Sequence, residues 1–263
     1  MKDYHRWFAI VVIPIALIIA WTIYEYVLGS GANFVGGNNS GEPVKGNYLG
    51  VMYKGGPLVV VLISFQIILL AYTVERVLTL RSAYGKIQTQ TFVTEIRNLL
   101  KQSKWDEMYK LCDQHRGALA NVVKSALQAY QQWHQANPLV TQAEKIAWIE
   151  TELEEATQLE IPILQKNMVV ISTLAQISTL IGLLGTVTGM IIAFASMARV
   201  GAPDAVGLAS GISQALVTTA LGIPTAALGI VIYNFLATRI EQIIYSIDEM
   251  NFSIAQYFKL QND

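Results

Sequence analysis

Two long stretches without a charged side chain, residues 167–198 and 206–237, constrain this chain more than any other feature. Each exceeds the roughly 20 apolar residues that cross a hydrocarbon core, and each lacks Asp, Glu, Lys, Arg and His. The short segment between them holds Arg199, Gly201, Pro203 and Asp204, which suits a turn in water. The pair is expected to form a transmembrane helical hairpin over 167–237.

The hairpin's composition says more than its hydrophobicity. Gly182, Gly185, Gly189 and Ala193 recur every three or four residues in the first helix, and Gly211, Ala215, Gly222, Ala226 and Gly229 nearly do so in the second. Such stripes let helix backbones approach closely, so they require near neighbours, which we expect in a homo-oligomer. Ser172, Gln176, Thr179, Thr186, Thr188, Ser210, Ser213, Gln214, Thr218, Thr219 and Thr225 add many polar groups. Each hydroxyl alone can bond back to its own helix, but the whole set points to a protein, water or pore-facing side.

The rest of the chain fits a membrane protein: 53% of its 263 residues are hydrophobic and 14% charged, with a net charge of -1 that gives no reason to expect nucleic acid. Residues 1–28 contain an apolar run after Lys2 and Arg6, read as a retained N-terminal transmembrane anchor rather than a signal core because Trp7, Trp21, Tyr24 and Tyr26 suit interfacial belts. Residues 29–56 carry nine glycines and are expected to be a flexible periplasmic loop; Asn38-Asn39-Ser40 matches a glycosylation acceptor by chance. A further span opens on Pro57 and runs through 57–79, with Glu75 and Arg76 near its inner end. As adjacent helical residues these two should face different sides and pair with other segments or with lipid phosphate rather than with each other.

Residues 80–166 are polar and helix-patterned, with breaks near Ser103, Gly117 and Asn137-Pro138, predicting about four soluble helices, the last running straight into the third span. In the tail, 238–263, Ile240, Ile243, Ile247, Met250, Ile254 and Tyr257 form a seam that packs either on the chain's own bundle or on a neighbouring subunit. Fifteen of the eighteen Lys and Arg residues fall before residue 7, in 76–166 or after 237, which places both termini and the bundle in the cytoplasm.

Enzymatic chemistry is not expected. Cys112 reads as an unreactive, half-buried thiol, and His5, His115 and His134 show no metal spacing. GLLGTVTG lacks the Gly-Lys-Ser/Thr ending of a phosphate loop and lies within hydrocarbon. No cofactor is expected either.

GLLGTVTGM at 182–190, GISQALVTTALGI at 211–223 and Tyr233-Asn234 resemble, in order and spacing, the last two membrane helices of the MotA/TolQ/ExbB proton-channel family, on its ExbB-like side. The Gly-Pro opening and Glu-Arg close of the 57–79 span, and residues 104–127 and 150–170, extend the resemblance, while the first helix looks added. The fold it implies is an all-α membrane protein of four transmembrane helices with a cytoplasmic helical bundle, assembling as a ring, a homopentamer in ExbB-like complexes.

A side-chain proton relay across a membrane core needs a titratable group, and the two spanning stretches hold no Asp, Glu, Lys, Arg or His. The resemblance implies that the acid comes from an ExbD-like partner, whose single membrane helix bears an aspartate inside the ring, and that proton flow energises a TonB-like protein and outer-membrane transport. It implies a pore-lining set of Thr186, Thr219, Gln214, Thr218 and Thr179; Thr179 stands where the family commonly has proline, and the neutral Gln214 where it commonly has glutamate. Gly182, Gly185, Gly189, Gly211 and Gly222 are expected to carry helix packing. The implied location is the bacterial inner membrane. A TolQ-like or flagellar-stator-type subunit is the near alternative, and a solute transporter or passive scaffold the remote ones; H⁺ and Na⁺ both stay open.

Overall fold

The computed structural model describes residues 2–136, 141–198 and 204–260. The expected break at Asn137-Pro138 and the turn residues Arg199, Gly201 and Pro203 lie outside the described residues. Among the described residues nine α-helices follow in order: α1 (Lys2–Thr22), α2 (Tyr48–Tyr53), α3 (Pro57–Ala83), α4 (Thr89–Lys101), α5 (Trp105–His115), α6 (Ala118–Ala136), α7 (Gln142–Gln165), α8 (Met168–Met197) and α9 (Ala205–Leu260). Among the described residues four helical stretches are long and apolar enough to cross a membrane. The chain is therefore an all-α, multi-pass membrane protein.

Contacts divide it into two compact units, Met1–Val74 with Val169–Tyr233, and Glu75–Met168 with Asn234–Asp263. In the first, apolar unit, α1 ends in a wider turn over Ile23–Leu28, where the Gly29 N–H reaches the Tyr24 carbonyl five residues back at 2.9 Å. Residues 29–56 are more ordered than their glycine content suggests. Asn33, 6% exposed, donates to the carbonyls of Val27 and Leu28 and accepts from Asn47 Nδ2, so one amide satisfies the open end of the first helix and ties the loop back on itself. Tyr24 stacks on Tyr53 at 4.6 Å, and Leu28, Val59 and Val217 bury together beneath them.

The second unit is a polar helical bundle. On α4, Phe92, Val93, Ile96 and Leu100 fall on one helical face, and all are buried. On α9, Ile240, Ile243, Ile247, Met250 and Ile254 are 4% exposed or less, so the tail's seam packs on the chain's own bundle. The last position of that seam is Phe258, not Tyr257. Phe258 is buried against Trp105 and Tyr130, whereas Tyr257 turns outward to bond Ser103.

Two further expectations are corrected in this unit. The helix leading to the third span does not run straight through: α7 stops at Gln165, Lys166 takes an extended ψ, and Asn167 adopts φ +61 before α8 begins. Asn tolerates that left-handed conformation better than most residues with a side chain. Glu75 and Arg76 do pair with each other: the Arg76 guanidinium forks onto both Glu75 oxygens at 2.5 and 2.6 Å. Both side chains are long enough to bend back across one helical turn. Arg76 is fully buried, its second nitrogen lies 3.5 Å from the carbonyls of Ile163 and Leu164 at the end of α7, and Asn167 and Thr79 donate to Glu75. The pair thus satisfies the backbone groups that the α7 break leaves open.

Candidate functional site

The site is the seam and open side of the hairpin formed by α8 and the first half of α9. Its close approach is set by glycine. A Cβ built on Gly189 would lie 2.5 Å from the Gly211 carbonyl oxygen, one on Gly211 the same distance from that of Gly189, and one on Gly222 lies 2.7 Å from that of Ser178. A Cβ on Gly185 would fall on Thr218 itself, whereas one on Gly182 finds its nearest atom, the Thr218 carbonyl oxygen, at 3.3 Å. The two small-residue stripes therefore face each other inside one chain. They need no neighbouring subunit, and the inference from them to oligomerisation falls.

Hydroxyls along the hairpin mostly return to their own helices. Ser178 donates to Leu174, Thr186 to Leu183, Thr188 to Leu184 and Thr225 to Leu221. Thr218, fully buried at the seam, donates to Gln214 and Ala215. Two contacts cross between helices. Thr219 Oγ1 reaches the Gly182 carbonyl at 3.3 Å as well as that of Ala215, and Gln66 of α3 donates to Thr225 Oγ1 at 2.9 Å.

These contacts sort the candidate residues by side. Thr186 lies one turn from Gly182, the group that Thr219 touches, and Thr179 lies two turns before Thr186, so the three hydroxyls share one flank of the hairpin. Thr179 is exposed and the other two are half-buried. Gln176 and Thr173 continue the exposed polar run toward the start of α8.

The opposite flank packs against α1 and α3, through Val217 and through the Gln66–Thr225 bond. Gln214 belongs to that flank. It precedes Thr219 by five residues, about 140° around a helix, and its amide lies 3.5 Å from where a Cβ on Gly56 would sit, at the opening of α3. The structure does not bring Gln214 together with Thr186 and Thr219. The signal that could have shown this was the five-residue spacing itself.

Cys112 is 2% exposed, and burial, with a lesser contribution from Asp113, pushes its thiol up to about 12, so it stays protonated at neutral pH. Among the described residues no group of three or more His, Cys, Asp or Glu is disposed to hold a metal ion.

A closely packed hairpin with one open hydroxyl-bearing flank, in spanning stretches without Asp, Glu, Lys, Arg or His, defines a polar membrane helix pair. The chain belongs to the MotA/TolQ/ExbB proton channel family, which it matches over residues 114–249, more than half its length. It is 42% identical over 76 residues to the putative biopolymer transport protein ExbB-like 3 of Synechocystis, covering 28% of this chain and 36% of that protein. Similarity to the Tol-Pal system protein TolQ of Haemophilus influenzae is 28% over 211 residues, 75% of this chain and 87% of that protein. The biopolymer transport protein ExbB of Salmonella typhimurium is 37% identical over 70 residues, 27% of this chain and 29% of that one. The chain thus spans about a third of the length of the ExbB-named relatives cited here.

Proposed function

We propose that the chain is the ExbB-like subunit of a proton-motive-force-driven motor in the bacterial inner membrane, a non-enzymatic protein with both termini in the cytoplasm. The observation that carries the reading is the open flank bearing Thr179, Thr186 and Thr219 on spanning stretches, 167–198 and 206–237, that hold no Asp, Glu, Lys, Arg or His. Exposed polar groups at membrane depth need shelter from lipid, and a ring of copies around a shared interior, a homopentamer as in ExbB-like complexes, supplies it. The titratable group then comes from an ExbD-like single-span partner whose membrane aspartate enters that interior, and the work done energises a TonB-like protein and outer-membrane transport. Gln214, on the other flank, takes no part in the relay.

The test is proton flux into liposomes carrying the complex purified with its own single-span partner. Thr186→Val and Thr219→Val keep volume and remove a hydroxyl, so flux should fall while assembly persists. Thr94→Val is the control, because Thr94 is exposed on α4 and bonds only its own Gln90 carbonyl. Thr157, though also on a polar helix, would be a poor control, being buried and bonded by Asn251. Wild-type flux in both valine variants would end the assignment of the flank. A TolQ-like subunit is the second reading, favoured by the similarity that covers 87% of a TolQ sequence. The identity of the co-purifying single-span protein decides between them.

A further inference from the structure

In the polar unit, His115 is the last residue of α5 and is fully buried. Its ring stacks on Phe92 of α4 at 4.2 Å, and the linker between α3 and α4 also lies against it. A Cβ on Gly85, which holds φ +79, would lie 2.6 Å from both Cε1 and Nε2, so the linker backbone lies against the imidazole edge, and only glycine fits there. The Lys86 N–H donates to the His115 carbonyl at 2.8 Å, and the Ile87 N–H donates to Nδ1 at 3.4 Å. Nε2 is buried without a hydrogen-bond partner.

An Nδ1 that accepts a hydrogen bond fixes the proton of the neutral ring on Nε2. Protonation would then add its hydrogen on Nδ1, directly opposite the Ile87 N–H. It would turn an attraction into a donor–donor clash and place a cation where Nε2 already lacks an acceptor. We propose that His115 is an acid-sensitive latch that holds the Gly85–Ile87 linker to the end of α5 while neutral and releases it when protonated.

No carboxylate rescues the charged form. The charged groups on the packed elements are Lys86 on the linker, Asp106, Glu107, Lys110 and Asp113 on α5 with Arg116 just after it, Glu95, Arg97 and Lys101 on α4, Lys124 on α6, and Glu241 and Glu249 on the part of α9 beside the linker, and of all influences on the imidazole it is burial that moves it. Asp113 is taken up by Lys124 at 2.6 Å, and Lys86 and Arg116 are themselves cations. Burial accordingly holds the imidazole below the usual histidine range. The sign follows: the contribution of the latch is complete above the ordinary histidine pKa and declines as pH falls from there toward the depressed value. In the proposed topology the sensed solution is the cytoplasm, the side on which protons emerge, but the latch stands whether or not the channel reading does.

The test uses the full-length chain in lipid nanodiscs, labelled with ¹⁵N-histidine; only His5, His115 and His134 contribute signals, and the His115→Asn variant assigns one. His115 should show the Nε2–H tautomer at pH 7.5 and titrate below the other two. Hydrogen exchange at 84–88, corrected for intrinsic rate, should accelerate as the solution is acidified, by up to roughly tenfold per pH unit between the two pKa values. In His115→Asn, which keeps an acceptor near the Nδ1 position and cannot titrate, linker protection should not follow pH. An Nδ1–H tautomer, linker protection that ignores pH in the wild type, or an unchanged pH response in the variant would each overturn the proposal. The wild-type tautomer and exchange data decide the matter alone if the variant fails to fold.

Discussion

The glycines of the hairpin should not be equivalent, and their differences can be worked from the seam. Adding a methyl to Gly185 drives it into Thr218, which is fully buried and bonded to its own helix and so has nowhere to turn. Overpacking of this kind costs about 1–3 kcal/mol, and we place Gly185→Ala near the upper end. A Cβ on Gly189 meets backbone, the Gly211 carbonyl oxygen at 2.5 Å and the Ala215 nitrogen at 2.7 Å, and should cost as much. On Gly182 the same methyl needs a shift of only tenths of an ångström from its 3.3 Å neighbour, and the gain of about 1 kcal/mol in helix propensity on replacing glycine by alanine should leave the variant near wild type. The assay is reversible unfolding of the full chain in mixed dodecylmaltoside–SDS micelles, followed by tryptophan fluorescence. Because the Thr218 Cβ is itself among the clashing atoms, Thr218→Gly should rescue Gly185→Ala, whereas Thr218→Ser should not. A coupling energy below about 0.5 kcal/mol in that cycle, or equal costs at Gly182, Gly185 and Gly189, would refute the seam as drawn.

Three further outcomes are expected. Arg76→Met should lower stability by about 3–5 kcal/mol in the same assay, since it leaves Glu75 half-buried without its main partner, while Glu75→Gln/Arg76→Met together should recover much of the loss. Cys112 should resist maleimide at pH 8 in the folded chain and react within minutes once SDS unfolds it, because its thiol is both buried and held protonated up to about 12; rapid labelling of the native protein would mean that the α5 environment is open. Gln214→Glu should fold within about 1 kcal/mol of wild type, because a carboxylate beside Gly56 meets the positive end of α3, and that interaction offsets part of its desolvation. A loss of several kcal/mol would place that side chain in an apolar contact instead.

The hairpin and the helical character of the polar unit were legible because their signals are local: runs without charge, glycine every three or four residues, and apolar positions at a 3.6-residue period. What the stripes pack against was not legible, since a glycine spacing marks a close approach without naming the other helix. The Glu75–Arg76 fork escaped a rule based on Cβ directions, because two long side chains can bend farther than their backbone vectors suggest. The α7 break at Asn167 has only Pro162, inside the helix and five residues earlier, to hint at it; the open carbonyls are met by Arg76 arriving from another helix. Residues 29–56 look flexible by composition, yet Asn33 makes three bonds that no local pattern encodes.

The back-bonded threonines have a consequence for the sign of charge that the open flank can host. Thr186 and Thr219 spend their hydroxyl hydrogens on carbonyls of the hairpin, Leu183 for the first, Ala215 and Gly182 for the second. What remains exposed on each oxygen is lone pairs. Pro224, which has no amide hydrogen, adds to this by leaving the Ala220 carbonyl without its usual donor one turn earlier on the exposed face of α9. Around these two hydroxyls the surface is Lewis-basic: it welcomes water hydrogens, hydronium, a small cation or the acidic hydrogen of a protonated carboxyl. The preference for positive charge at the Thr186–Thr219 position is therefore written into the backbone of the hairpin and needs no fixed negative charge.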